Sequence, residues 1–244
     1  MAKKNNKQIN SNKIIPNKIH PWRICPAGQH WVQSHLLHIP PSLNNPAGSL
    51  TTRSGHCHSN SSHKDSIYPL EIHEISINFF DSVPEKTSPI DLRFKKGNDF
   101  DLFIQGWTKY WNDIFKPEDP LDPNLVKALI ATESGFNSNA VTKVGKTKLY
   151  ARGLMQVTDQ SLKILGDTKG ELHDYLVHLT QQELLDPNFN ICAGIRWLFR
   201  KKEIAESRLN KKLTWSEAIQ NYKAEKNGSK LIDGVHNYYK KLKK

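Results

Sequence analysis

The stretch Asp122-Pro123-Asn124-Leu125-Val126-Lys127-Ala128-Leu129-Ile130-Ala131-Thr132-Glu133-Ser134-Gly135-Phe136 decides how the rest of the chain reads. Asp122 offers a short acceptor for a free amide of a first helical turn, and Pro123 brings a pre-set φ and no amide that needs a partner there. Leu125, Val126, Leu129 and Ile130 then recur at the spacing of one helix face. The apolar run closes on one carboxyl, Glu133, before the Ser134-Gly135 break. The spacing predicts a helix that ends in a bend with a carboxyl on its last turn.

Working outward, the pattern stays helical. Phe100, Leu102, Phe103, Trp107, Tyr110, Trp111 and Ile114 recur every three to four residues, which predicts an amphipathic helix. Before it, Leu70, Ile72, Ile75, Ile77 and Phe80 follow Tyr68-Pro69 as another helix, with Pro84 to Asn98 as a connector. Beyond Phe136, helices are expected at Thr158 to Leu165, Gln181 to Leu185, Asn188 to Glu206 and Trp215 to Lys223, with a last one near the C-terminus. No internal repeat, no phosphate-binding Gly-rich loop and no strand cluster with hairpin turns is visible, which sets aside Rossmann and P-loop enzymes. The expected fold class is mainly α.

The first 66 residues read differently. They are rich in Asn, Ser, Pro, Gly and His and show neither apolar period, so a small loop-rich Cys/His segment is expected. Seven of the eleven histidines (His20, His30, His35, His38, His56, His58, His63) and two of three cysteines (Cys25, Cys57) fall there. Such a segment is stapled more readily than core-packed. Zinc on Cys25, His30, Cys57 and His58 is one staple, a Cys25 to Cys57 disulfide is another, and unligated loops remain the third reading. The expected organisation is residues 1–66 as an adaptor or export module, 67–120 as a helical connector, and 121–244 as the helical domain on which that connector packs.

The chain has 244 residues and a formal net charge of +11. That charge favours polyanionic partners: nucleic acid, anionic membrane surfaces or acidic cell-wall polymers. The lysines at 240, 241, 243 and 244 suit a solvated helix end. Met1 to Lys7 is basic but lacks the apolar run of a secretory signal, and no stretch has the length of a membrane span, so delivery by a specialised secretion route or by lysis is expected.

Glycosidic cleavage needs a carboxylic acid kept protonated beside the leaving oxygen, which an apolar setting favours. Glu133 has that setting, and the negative end of its helix acts in the same direction. Twenty residues on comes Ala151-Arg152-Gly153-Leu154-Met155-Gln156-Val157, an apolar turn carrying one amide. A third segment, Asp186-Pro187-Asn188-Phe189-Asn190-Ile191-Cys192-Ala193-Gly194-Ile195-Arg196-Trp197-Leu198, opens the longest helical pattern. Cys192 lies inside it and reads as a small buried hydrophobe.

Together these segments resemble the soluble lytic transglycosylases, the goose-lysozyme-like family, through Glu133-Ser134-Gly135-Phe136, Gly153-Leu154-Met155-Gln156 and the Asp186-Pro187 helix. The resemblance covers roughly residues 121 to 244 and implies a lysozyme-like helical catalytic domain acting on peptidoglycan glycan strands. It implies Glu133 as the catalytic acid/base. Ser134 would contact substrate near Glu133, Gly153 would allow close backbone approach, and Met155 and Gln156 would line the sugar groove. Tyr222 would orient the catalytic carboxyl. A fourth motif departs: where the family commonly has Ala-Tyr-Asn-Ala-Gly, this chain has Asn221-Tyr222-Lys223-Ala224-Glu225, which puts substrate preference in question.

A hydrolase needs a second carboxylate across the scissile bond, at roughly 5 Å if retaining and 6.5–9.5 Å if inverting. The segment Asn137 to Tyr150 holds no Asp or Glu, and the one nearby in sequence, Asp159, is also placed to cap the next helix. With a single acid, the resemblance implies that the muramyl N-acetyl group and then its 6-hydroxyl complete the reaction, giving a 1,6-anhydro end without metal or cofactor. A hydrolytic muramidase is the alternative within the fold. From another class, Trp22, Arg23, Trp31 and the basic Cys/His segment allow a nucleic-acid module with steep salt dependence. A secretion-machine or phage-particle docking partner and an immunity protein are the other partners expected of such an enzyme.

Overall fold

The computed structural model describes residues 22–223 and 230–244. The basic stretch Met1 to Lys7, His20, Ala224 and Glu225 lie outside the described residues. The first elements are short strands: β1 (Gln29–Val32), β2 (His35–Ile39), β3 (Ser49–Arg53), β4 (His56–Ser59) and β5 (Ser66–Ile67). Helices follow: α1 (Pro69–Phe79), α2 (Asp101–Phe115) and α3 (Pro123–Glu133). A small antiparallel sheet comes next, β6 (Val141–Lys143), β7 (Tyr150–Arg152) and β8 (Val157–Thr158), then α4 (Asp159–Gly166) and β9 (Leu176–Val177). A 3-10 turn at Glu183–Leu185 leads into α5 (Pro187–Leu209), α6 (Trp215–Tyr222) and α7 (Lys230–Leu242).

The fold is mainly helical and its helices begin where their capping residues stand. Asp122 accepts from the Asn124 amide at 2.8 Å at the head of α3. Asp186 accepts from the amides of Asn188 and Phe189 at the head of α5. Thr214 and Glu217 form a reciprocal capping box on α6. Replacing Asp186 by Ala leaves two amides short of an acceptor and is expected to cost about 1 kcal/mol, read as a lower denaturation midpoint with an unchanged far-UV spectrum.

Two apolar helices make the centre. In α3, seven consecutive residues from Leu125 to Ala131 are buried, and α2 and α7 pack along it. The lysine among them, Lys127, is satisfied by Asp101, the Asn98 side chain and the Ser88 carbonyl at 2.6–2.9 Å. A buried charge is tolerated only with such partners. In α5, the segment from Asn190 to Phe199 is wholly buried, Cys192 among it, and burial pushes that thiol well above its ordinary range. From α2, Trp107 donates to Asn188 Oδ1 at 2.7 Å and Trp111 to the Cys192 carbonyl at 3.0 Å, so each indole fills core volume without stranding its N–H.

The N-terminal segment differs from the loops expected of it. β1 pairs with β4 and β2 with β3, both antiparallel. No alternation announced them, because every residue of β2 and β3 is solvent-exposed and no core selects one face. Likewise β6, β7 and β8 stand where no strand was expected; at two or three residues each they are too short to show a period. Cys25 and Cys57 are joined in a disulfide, which takes both sulfurs that a zinc site would need. His30 shares a hydrogen bond with Asn60 Oδ1 at 2.8 Å, and the described residues hold no cluster of three or more His, Cys, Asp or Glu able to grip a metal ion.

This segment is fastened to the helices. Arg23, nearly inaccessible, is paired with Asp65 and with Glu71 of α1, and donates to the carbonyls of Gln29 and Ser66. β5, which spans the boundary expected at residue 66, pairs in parallel with β9, Ser66 opposite Leu176 and Ile67 opposite Val177. Trp22 seats edge-on against Phe79 of α1 and Tyr110 of α2.

Candidate active site

Glu133 is the last residue of α3, and the chain turns away directly after it. Ser134 is the cap, its amide bonded to the Ile130 carbonyl, and Gly135 and Phe136 both take left-handed φ values of 57° and 62°. Phe136 is held there because its ring is buried and meets Phe94 at 5.4 Å. The Ser134 hydroxyl reaches back to the Ile130 carbonyl at 3.4 Å, so it serves the helix end.

The Gly153 to Gln156 turn is built from the other central helix. Asn190 of α5 accepts from the Met155 amide at 2.8 Å and donates to the carbonyls of Arg152 and Leu184 at 2.9 and 2.7 Å. Gly153 has φ +72°, and its amide donates to the Ala140 carbonyl at 2.8 Å. Gln156 folds its own side chain onto the turn, Nε2 donating to the Gly153 carbonyl at 2.9 Å. Met155 departs from its expected place in the groove: its side chain is fully buried and packs on Gly194 of α5. It is its backbone carbonyl that takes part in the site, accepting from the Tyr222 hydroxyl at 2.7 Å.

Tyr222 and Lys223, at the end of α6, join the turn and the α3 end. Burial pushes the Tyr222 phenol well above its usual range, and the charge of nearby Glu133 adds to the effect. Lys223 places Nζ 2.6 Å from Glu133 Oε1, with 4% of the lysine side chain and 15% of the glutamate side chain exposed. Two fields therefore act on the carboxyl. The negative end of the α3 dipole disfavours its charge by about 0.3–1 kcal/mol, whereas a hydrogen bond to a charged group is worth about 1.5–3 kcal/mol. The Lys223 ammonium and the helix end thus act on the carboxyl in opposite senses, the ammonium favouring its charged form.

Asp159 has partners of its own. It accepts from the Tyr150 amide at 2.9 Å and lies 3.2 Å from Arg152 Nε, bracing β7 against α4. The cap of α4 that Asp159 was placed to supply comes instead from Thr158, which accepts from the Ser161 amide at 3.0 Å. Arg152 also reaches Gln181, and an open groove beside them is lined by Asp159, Lys163, His178, Gln181 and Glu183.

Sequence reasoning named Glu133, Ser134, Gly153, Gln156 and Tyr222, and the structure brings their segments together around the end of α3. It assigned no task to Asn190, although a lone polar residue at the start of an apolar helical run was a visible sign. Lys223 stood out only as a departure from a pattern; its reach to Glu133 depends on how α6 meets α3. Neither a curated protein nor a solved structure matches the chain. Residues 115–229, which contain Glu133, the Gly153–Gln156 turn, Tyr222 and Lys223, match the family model described as Transglycosylase SLT domain.

Proposed function

We propose that this protein is a lytic transglycosylase that cleaves the MurNAc–GlcNAc bond of peptidoglycan and leaves a 1,6-anhydroMurNAc end, with Glu133 as its single acid/base. The observation that carries the reading is the position of Glu133: at the end of a buried helix, largely dry, beside the Gly153–Gln156 turn and Tyr222. In the reaction Glu133 protonates the leaving glycosidic oxygen as the C1–O bond breaks, the substrate N-acetyl oxygen stabilises C1, and the carboxylate then takes the proton of the 6-hydroxyl as that oxygen closes on C1. A single carboxyl suffices for both transfers.

Support for this outcome over hydrolysis comes from the acids around the site. The segment from Asn137 to Tyr150 contributes none, and Asp159 is occupied by Arg152 and the Tyr150 amide. The groove past Asp159 and Gln181 offers an extended glycan a track away from the turn. Delivery to an oxidising compartment, where peptidoglycan lies, is consistent with the Cys25–Cys57 disulfide. No helix among the described residues is long and apolar enough to cross a membrane.

Digestion of purified sacculi followed by mass spectrometry of the soluble products tests the reading. Muropeptides with anhydro ends, one water lighter than reducing ends, are expected. Reducing ends would make the protein a muramidase, and no release by folded protein over a range of pH would remove the enzyme reading.

A further inference from the structure

The position at which the resembling pattern carries an uncharged amide holds Lys223 here, and its ammonium lies on the carboxyl that the proposed reaction uses, 2.6 Å from Nζ to Oε1. Both side chains are mostly withdrawn from solvent, so water screens the pair poorly. Two anchors fix the geometry from either side: α3 ends at Glu133 in the Gly135–Phe136 bend, and Tyr222, next to Lys223, is tied to the Met155 carbonyl. We infer that Lys223 is a positioning residue that favours the charged form of Glu133 in the free protein and thereby shifts glycan cleavage toward lower pH. The inference rests on Glu133 being the acid of the proposed reaction.

The sign follows from which form of Glu133 each step needs. Transfer to the leaving oxygen requires the protonated carboxyl, whereas a facing ammonium favours the carboxylate. Glu133 therefore loads its proton only at lower pH than an unpaired glutamate in the same place, and activity falls as pH rises through that lowered value. Among the described residues, the other charged groups on the surrounding elements have partners of their own or face solvent. Tyr222 is held neutral across the working range. Lys127 of α3 is committed to Asp101, and Arg152 to Asp159. On α7, which packs along α3, Asp233 is exposed and His236 partly so. Lys143, Lys146 and Lys148 between β6 and β7 are exposed to solvent. Lys223 donates directly to the carboxyl.

The experiment is the pH dependence of the initial rate of muropeptide release from sacculi by the full chain and by Lys223→Gln, Lys223→Asn and Lys223→Arg. Removing the charge is expected to move the alkaline limb upward by about one pH unit or more, so that release at neutral pH rises roughly tenfold. Lys223→Arg, which keeps the charge, is expected to keep the wild-type limb whatever its rate. A higher rate at neutral pH is not something loss of a merely structural contact would produce. The inference is overturned if both neutral variants keep the wild-type limb, if they lose rate evenly at all pH, or if Lys223→Arg shifts as far as they do. Two neutral replacements guard against one of them failing to fold. An unmoved limb alongside an inactive Glu133→Gln overturns the role of Lys223 alone; a Glu133→Gln variant as active as wild type overturns the assignment of Glu133 and this inference with it.

Discussion

With Gln in place of Glu133, release of soluble glycan from sacculi falls by about 10²- to 10⁴-fold, the share of rate that a positioned proton donor contributes. The amide has the size of the carboxyl and can still accept from Lys223, but it has no proton to give to a leaving oxygen. The substitution also leaves Lys223, of which only 4% is exposed, beside a neutral partner. Replacing the ion pair by a bond from a buried ammonium to a neutral amide is expected to lower stability. Rate and stability are separated by the double variant Glu133→Gln/Lys223→Gln. Removing the stranded ammonium returns much of the stability, measured by chemical denaturation, and returns none of the rate. A double variant that regained activity would place the proton donor elsewhere.

Gly153→Ala is the second large effect, and it acts through backbone. At φ +72° any side chain is strained, by about 1–2 kcal/mol for the left-handed region. A Cβ there would also stand 2.2 Å from Asn190 Nδ2 and 2.4 Å from the Leu184 carbonyl oxygen. Neither can give way freely, since Asn190 is fully buried with three bonds to hold and the carbonyl is one of its partners. Overpacking of this kind costs about 1–3 kcal/mol more. The expected total is about 2–5 kcal/mol off the unfolding free energy, with glycan release lost at the same time as the turn beside Glu133 shifts. Gly145→Ala is the control: φ is +53° but nothing lies within 4 Å of the added carbon, so only the conformational part remains. Equal losses for the two would show that the turn relaxes around the methyl group.

Much of the helical half was legible because its starts are written in side chains. Asp122-Pro123 and Asp186-Pro187 mark helix heads by chemistry confined to three or four residues, and the structure places α3 and α5 directly behind them. The strands were not legible for the opposite reason. β2 and β3 carry Leu36, Leu37, Ile39 and Leu50 in the open, so their sequence bears no imprint of a buried face. Around the site, local motifs located Glu133 and the turn but could not say which atoms of a residue take part. Met155 is the instructive case: its side chain belongs to the core of α5, and only its carbonyl meets Tyr222. Lys223 shows the limit more sharply, because an ion pair between residues 133 and 223 is created by helix packing and leaves no trace at short range.

The parallel pairing of β5 with β9 also bears on how the chain assembles. Ser66 meets Leu176 and Ile67 meets Val177, partners separated by most of the helical half. During synthesis from the N-terminus, β1 to β4 can pair among themselves early, their partners lying within a short stretch of chain. β5 cannot complete its ladder until residue 177 has emerged, and contacts of such long range form slowly because the intervening loop must first be closed. The amino-terminal strands are therefore made first and docked late, and until then Arg23 and Asp65 lack the packed surroundings that justify burying them.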